Sequence, residues 1–579
     1  MTFGEEGAEL IVSAPVSASP ASPPAGLDGR DLWVVLGLVG LLIGLPVIAA
    51  LVTGSFGIPQ NDDWAFRRIA IRIVEGHGLS YGGWPAQSLL GLIFVSLPFA
   101  AVLGTSWWVF SLVGALLAAA AVVVAYLLAR RFVSTAWSVF AVLLVGALPG
   151  LVSNATNFMT DLPGTFTIGS CLLLGVAAAR ARRHQGALLA AVALVGLFAF
   201  SIREFAIVAP LSVFVVVGAR QLAARRRCAL LSAALLLLSA ALFHWIQQLP
   251  GIYPSPFHPP TRAGLALVLE SFFAVALALS PLVALRMPWL LERLSWRSLA
   301  ATVVVVGSMV LLGVRPIALF PGNYLTQQGM GGVAYLPGAR PVLIPGSLWD
   351  PLNLLGLLAG ILLACLLAEG VLGFARADAG ALILVCFSGT FSLASAVFVV
   401  LRGASYDRYL WPLELALGVA LLASMAPAAA RGARRARGPG RGLVLGSCAL
   451  LAVLLAVAGL LAANSDVYSA ARWRAGEQAV ALGIPPDLVS AGFEWVGAHS
   501  GEVEQLHNAP ADEPGSPAWD TLFPPHDRCA FVFGSPITQP GFVLVGMQGY
   551  RLYGLFGHDQ LYLYRSTAPA CATVGERAG

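Results

Sequence analysis

Gln60-Asn61-Asp62-Asp63-Trp64 follows directly on the first long apolar segment of the chain, about residues 32–54. Two adjacent carboxylates and an indole therefore stand where a membrane helix would surface. The run from Trp64 to Glu75 places apolar residues at helical spacing and Arg67, Arg68 and Arg72 on the other side. That pattern is expected of a helix lying in the membrane interface. A paired carboxylate at such a boundary is open to three readings: metal ligand, general base, or a solvated helix N-cap, since Asp is common at helix starts. The rest of the chain bears on the choice through where its other charges fall.

Of the 579 residues, 58% are hydrophobic and 11% charged, and the mean hydropathy is +0.81. Soluble domains carry about 25% charged residues, so the composition is that of a polytopic membrane protein. All 34 basic residues are arginine, so any basic contact to a phosphate must come from a guanidinium. The net charge of +5 matches topology signals, and no basic face of the kind that grips nucleic acid is present. Residues 1–30 read as a disordered cytoplasmic tail, rich in Ala, Ser and Pro, and Glu5, Glu6 and Glu9 argue against a cleaved signal peptide.

Arginine clusters fix the expected cytoplasmic side: Arg130-Arg131, Arg180 to Arg183, Arg225 to Arg227, Arg293 with Arg297, and the run from Arg431 to Arg441. Apolar segments near 107–129, 134–152, 162–179, 228–246, 264–285, 298–318, 351–373, 379–401, 409–429 and 442–464 lie between them, against about 20 helical residues needed to cross. The block 186–219 is too long for one helix and has arginine on both flanks. It is expected to be a hairpin turning at Ser201-Ile202-Arg203-Glu204, because charge is costly in the bilayer centre. Segment 86–103, with Pro85 and Pro98, is expected to lie in the interface or re-enter; a full crossing would put Arg130-Arg131 outside. The expected fold is thus mainly α: a helical bundle of about thirteen spans over 31–464, with interfacial helices in the first outer loop, and a small α/β exoplasmic domain over 465–579.

This threading brings the notable polar groups to one face. Asp62-Asp63 lies in the first outer loop, Asn157 to Asp161 in the second, Arg203-Glu204 at the third outer turn, and Arg402 to Arg408 at the head of a late span. In the C-terminal domain a helix is expected over 471–480, and strands over 529–534, 542–547 and 561–565. Cys529 and Cys571 are candidates for a disulfide there, or for two free thiols, and no CxxC or His/Cys cluster suggests structural zinc.

Carboxylates on outer loops beside bilayer-level cavities suit a reaction between a membrane-borne and a water-borne substrate. One carboxylate can take a proton from an acceptor hydroxyl, and a second can orient it or share a divalent cation with it. Arginine suits a leaving phosphate through bidentate, permanently charged contacts. Trp64, Trp84, Trp107 and Trp108 fit either an interfacial aromatic belt or a stacking surface for a sugar or prenyl chain. For Arg203-Glu204 an exposed turn, for Asp407-Arg408 a local capping ion pair, and for Asp161 beside Leu162-Pro163 a plain N-cap all remain open.

In order and sidedness these features resemble the glycosyltransferase-C superfold, in the branch holding protein O-mannosyltransferases, the lipid A aminoarabinose transferase and bacterial relatives. The residues that carry the resemblance are Asp62-Asp63 with the amphipathic helix behind it, Met159-Thr160-Asp161-Leu162-Pro163, the broken pair of helices at Arg203-Glu204, and Tyr406-Asp407-Arg408-Tyr409-Leu410-Trp411-Pro412. The resemblance implies inverting transfer of a sugar from a polyprenyl-phosphate donor to an exoplasmic glycan, lipid or protein acceptor, in the inner (plasma) membrane with the site facing out. It implies Asp62 or Asp63 as the base and Asp161 as the second-loop carboxylate, with a divalent metal between Asp62 and Asp161 as an option. Arg408 and Arg203 would hold the donor phosphate, with Glu204, Tyr406, Arg67 and His77 as further substrate-binding candidates. The chain departs from the branch in lacking the lysine often found in the first outer loop, in having aspartate as the second acidic residue where those enzymes have glutamate, and in having no inserted lumenal sugar-binding domain. A transporter or flippase for a lipid-linked sugar is the competing class, but such proteins place ionisable groups near the midplane on broken helices of repeated halves.

Overall fold

The computed structural model describes residues 29–181, 183–253, 257–327, 336, 342–425, 440–501, 522–553 and 557–572. The expected acidic tail up to residue 28 and the arginine run up to residue 439 lie outside these.

The first apolar segment forms one helix, Gly29–Thr53, loosened by a π-turn at Gly40–Gly44 and stopped by Gly54 in the left-handed conformation (φ 76°). Among the described residues, eight helices are long and apolar enough to cross a membrane. The helices Arg262–Ala278 and Ser280–Leu291, bent by 83° where Pro281 opens the second, count as a ninth if taken as one span. Among the described residues the count by helix length and apolarity is thus eight or nine, beside the thirteen spans expected. Several apolar segments fold as shorter helices instead: Leu90–Leu103, Thr135–Gly146 and Trp296–Leu312, and the 13-residue helices Val208–Arg220 and Trp411–Ala423. Chain breakers account for part of the difference, since Pro149 opens a separate turn after 146 and Gly313 caps the helix ending at 312.

The arginine clusters and the polar loops gather separately. At one end Arg130 pairs with Asp31 (3.1 Å), Arg180 pairs with Asp378 (3.0 Å) and also donates to the Arg131 carbonyl, and Arg220 donates to the Arg376 carbonyl. At the other end gather the loops expected to face out. The hairpin expected over 186–219 is present as Gln185–Ile202, a 3₁₀ turn Glu204–Ile207, and Val208–Arg220. Leu90–Leu103 packs against it closely enough that a Cβ on Gly91 would sit 2.5 Å from Ser201 Oγ. At Gly114 a Cβ would fall 2.1 Å from the Asn157 carbonyl oxygen, so glycine is what lets the second outer loop lie on helix Trp107–Arg130.

The first-loop helix, Asp63–Val74, is amphipathic as expected but differs in one respect. Arg67 is wholly buried, not on the solvent side, because Asp63 one turn earlier gives it a buried partner at 2.5 Å. Its other donors reach the Gly57 and Trp107 carbonyls (3.0 and 2.8 Å) and Ser111 Oγ (3.1 Å).

The last membrane helix runs unbroken from Arg441 to Ala481. Forty-one residues span about 60 Å, twice the hydrocarbon core, so the helix is long enough to continue well past it, and its second half contains the helix expected at 471–480. On it lies a four-stranded sheet of order β1-β2-β4-β3, with β1 Val489–Ser490, β2 Ala530–Phe533, β3 Phe542–Leu552 and β4 Gly557–Ser566. β1 and β2 are parallel and the other pairs antiparallel. Cys529 and Cys571 form a disulfide that ties the start of β2 to the chain beyond β4. It closes a loop with a sequence separation of 42, so its removal is expected to cost about 4 kcal/mol on the chain-entropy scale. A paired Cys529→Ser/Cys571→Ser variant should show this as earlier thermal unfolding and faster proteolysis of the C-terminal region, with the membrane helices intact.

Candidate active site

The site forms where four loops meet. Residue 61 turns the first loop: Asn61 has φ 61°, a left-handed conformation that asparagine tolerates better than most side chains. The turn sends Asp62 and Asp63 to different places. Asp63 Oδ1 accepts from the Gln60 N–H (2.9 Å), and its Oδ2 accepts from the Phe158 N–H (3.2 Å) and from Arg67. Asp62 keeps a side chain 22% exposed; its Oδ1 accepts from Trp84 Nε1 (2.9 Å), and its Oδ2 lies 3.4 Å from Arg408 Nη2.

Arg408 joins the loops. Its Nε stands 3.5 Å from Asp161 Oδ2, and its Nη1 donates to Asn323 Oδ1 at 2.5 Å. Arg203 holds the other oxygen of Asp161 at 2.7 Å. Three tyrosine rings surround Arg408, with centroids 4.8 Å (Tyr406), 5.3 Å (Tyr409) and 5.9 Å (Tyr324) from its guanidinium carbon, and Tyr409 also lies 4.8 Å from Arg203. Burial works against the charge of Arg408, but the tyrosines, Asp161 and Asp62 outweigh it and hold its pKa well above the ordinary arginine value. Asp407 does not serve Arg408 as a side-chain ion pair. It accepts from the Tyr324 N–H (3.0 Å), the Leu325 N–H and its neighbour's N–H (2.8 Å), so it pins the 322–325 loop to the helix head. Burial pushes its carboxyl up to about 6 against those three donors.

Of the expected residues, Asp62, Asp161, Arg203, Tyr406 and Arg408 are thus brought together. Asp63 and Arg67 are adjacent but spent on each other and on the backbone. Glu204 turns away to accept from the Ser88 N–H and does not join the cluster. His77 is not at the site: the 12-residue helix before it carries it about 18 Å along. It is exposed, with Glu75 3.9 Å away. Asn61, Asn323 and Tyr324 escaped sequence reasoning. The Gly322-Asn323 turn (φ 80° and 100°) was the available signal for one of them.

The donor set does not fit the divalent metal considered for Asp62 and Asp161. Both oxygens of Asp161 face guanidinium groups, and the cation that bridges the two carboxylates is Arg408 itself. Among the described residues no group of three or more His, Cys, Asp or Glu is arranged to hold a metal ion.

Residues 90–246 match the family model described as dolichyl-phosphate-mannose-protein mannosyltransferase. No curated protein matches the chain by sequence. Among solved structures, the chain is similar to ArnT from Cupriavidus metallidurans bound to undecaprenyl phosphate, at 12% identity and a TM-score of 0.44, over 92% of this chain and 98% of that one. It is also similar to the archaeal oligosaccharyltransferase AglB from Archaeoglobus fulgidus in complex with an inhibitory peptide and a dolichol-phosphate, at 12% identity and a TM-score of 0.35, over 85% of this chain and 63% of that one. The segment matched by the family model contains Asp161 and Arg203, which meet at 2.7 Å. Residues 90–246, about a quarter of the chain, are thus similar to a mannosyltransferase family model, and among the described residues eight helices are long and apolar enough to cross a membrane.

Proposed function

We propose that the protein moves a sugar from a polyprenyl-phosphate donor to a hydroxyl-bearing glycan, lipid or protein acceptor at the outer face of the inner membrane, with inversion at the anomeric carbon. The observation that carries this reading is the bridge made by Arg408 between Asp62 and Asp161 at one end of the bundle. It sets a permanently charged, fork-shaped donor beside a carboxylate that is still partly open to solvent.

Asp62 takes the proton of the acceptor hydroxyl as its oxygen attacks the anomeric carbon. The new C–O bond forms as the bond to the phosphate oxygen breaks, and the polyprenyl phosphate leaves with one more negative charge. Attack on the face opposite the leaving group inverts the centre in one displacement. Arg408 and Arg203 receive the charge that develops on the phosphate, and Asp161 keeps both guanidinium groups in register. The tyrosine rings exclude water around them, which strengthens these contacts. We assign the bundle, residues 31–464, to donor binding and chemistry, and 465–579 to an exoplasmic domain over the site. The transporter reading loses its ground once the carboxylates lie on loops at one end and the family match is to a transferase.

Arg408→Lys tests the reading. Lysine keeps the charge but loses the fork that reaches Asp62, Asp161 and Asn323 together. Losing one or two charge-assisted bonds predicts about 10- to 100-fold weaker binding of undecaprenyl phosphate. The check is a binding titration on the purified protein in nanodiscs, and undiminished affinity would reject a phosphate-holding role for Arg408.

A further inference from the structure

We infer that Glu494, from the C-terminal domain, is a positioning residue that sets the orientation of Asp62 by holding the backbone of Asn61. The inference rests on the reading of Asp62 as the base.

Glu494 stands in the second position of the short helix Phe493–His499, entered through Gly492 in the left-handed half of conformational space (φ 94°). It is 3% exposed. An acidic side chain so buried is normally paired, and Arg472 Nη1 lies 2.6 Å from its Oε2. Its Oε1 accepts from the Asn61 N–H at 2.9 Å, across 433 residues of sequence. That bond falls on the residue whose left-handed turn separates Asp62 from Asp63. The Asn61 side chain is fixed as well: its Nδ2 donates to Asn323 Oδ1 (3.2 Å), the oxygen that also accepts from Arg408.

The second hold on Asp62 leads to the same helix. Trp84, which donates to Asp62 Oδ1, packs its ring 5.2 Å from Phe493 and 5.6 Å from Phe523. The helix is seated on the first loop by two more contacts. At Gly497 a Cβ would fall 2.3 Å from the Trp64 indole, so glycine is what permits this approach. Arg68 Nη1 donates to the Gly497 and Ser500 carbonyls at 2.8 and 3.0 Å. Both the backbone ahead of Asp62 and the indole against it are therefore set by residues 493–500, which do not themselves touch Asp62 in any bond or ion pair described. A polar anchor inside a buried interface fixes one register where apolar packing would allow several, and catalytic geometry is sensitive to shifts of an ångström.

Three substitutions separate reach from charge. Glu494→Gln keeps an oxygen for the Asn61 N–H and loses the charge facing Arg472. Glu494→Asp keeps the charge and draws the oxygen back by one methylene. Glu494→Ala removes both. The full-length protein in proteoliposomes would be assayed with radiolabelled polyprenyl-phosphate sugars extracted from the membranes of the host cells, alongside binding of undecaprenyl phosphate and thermal unfolding. Expected are kcat about 10-fold lower for Glu494→Asp and about 100-fold lower for Glu494→Ala, within about 3-fold of wild type for Glu494→Gln, and undecaprenyl phosphate affinity unchanged within about twofold, as for loss of orientation with binding intact. In an Asp62→Asn background Glu494→Ala should cause no further loss, because both act on one group. A normal kcat for Glu494→Ala, the reverse order of the Asp and Gln variants, or losses that multiply with Asp62→Asn would each overturn the inference. Should Glu494→Ala not fold, the order of the Asp and Gln variants decides alone. Full turnover by Asp62→Asn would instead remove the base reading, and the inference with it; a dead Asp62→Asn beside a normal Glu494→Ala would remove the inference only.

Discussion

Asp62→Asn is expected to lower turnover by about 10²–10⁴-fold, the range typical for loss of a general base. Asparagine is nearly isosteric, and its oxygen can still accept from Trp84 Nε1, so the loop keeps its shape. Asp62 is also the partly exposed member of the cluster, so stability should change little. Donor binding gives the sharper check. Removing the negative charge 3.4 Å from Arg408 leaves its guanidinium freer for phosphate, so affinity for undecaprenyl phosphate should be equal to wild type or tighter. A variant that lost binding and turnover together would make Asp62 a donor ligand and not a base. A variant with full turnover would end the assignment. Turnover and binding titrations on one preparation decide among these.

Much of the fold was legible because topology is written in composition. Arginine clusters marked one end of the bundle, and the residues they marked do meet there, as the Asp31–Arg130 and Arg180–Asp378 pairs show. The same bookkeeping put Asp62, Asp161, Arg203 and Arg408 at the other end, where three ion pairs join them. What sequence could not supply was direction within a loop. Nothing in the pair Asp62-Asp63 says which carboxylate stays partly exposed; the positive φ of Asn61 decides it, and the Asn61 N–H is held by Glu494 from far along the chain. Asn323 was invisible for a similar reason. It lies in a loop whose Pro, Gly and aromatic content read only as irregular, and its contact with Arg408 depends on Asp407 pinning Tyr324 and Leu325. Hydropathy registers an apolar stretch but not where proline and glycine divide it into shorter helices, as at Pro149 and Gly313.

The neighbouring substitution should fail in a different way. Asp63→Ala is expected to destabilise the protein by about 3–5 kcal/mol, the cost of breaking a buried pair by removing one partner. Arg67 would be left wholly buried without its counter-charge, and the Gln60 and Phe158 N–H groups without an acceptor. Those two amides belong to the first and second outer loops, so the loss should separate the loops before it touches the chemistry. Thermal unfolding and the yield of folded protein in detergent would report it, while the surviving folded fraction should bind undecaprenyl phosphate normally. The pH dependence has a definite sign. Burial pushes the Asp63 carboxyl up to about 6, from an ordinary value of 3.8, although Arg67 and the two backbone donors oppose the rise. A carboxyl raised on folding takes up a proton in the folded state first, so its stabilising contribution is fully present below pH 3.8 and is lost as pH rises through about 6. The gap in melting temperature between wild type and Asp63→Ala should therefore widen on going from pH 7.5 to pH 5. A gap that narrowed would mean that Arg67 and the two backbone donors, which favour the ionised carboxylate, outweigh the cost of burying its charge.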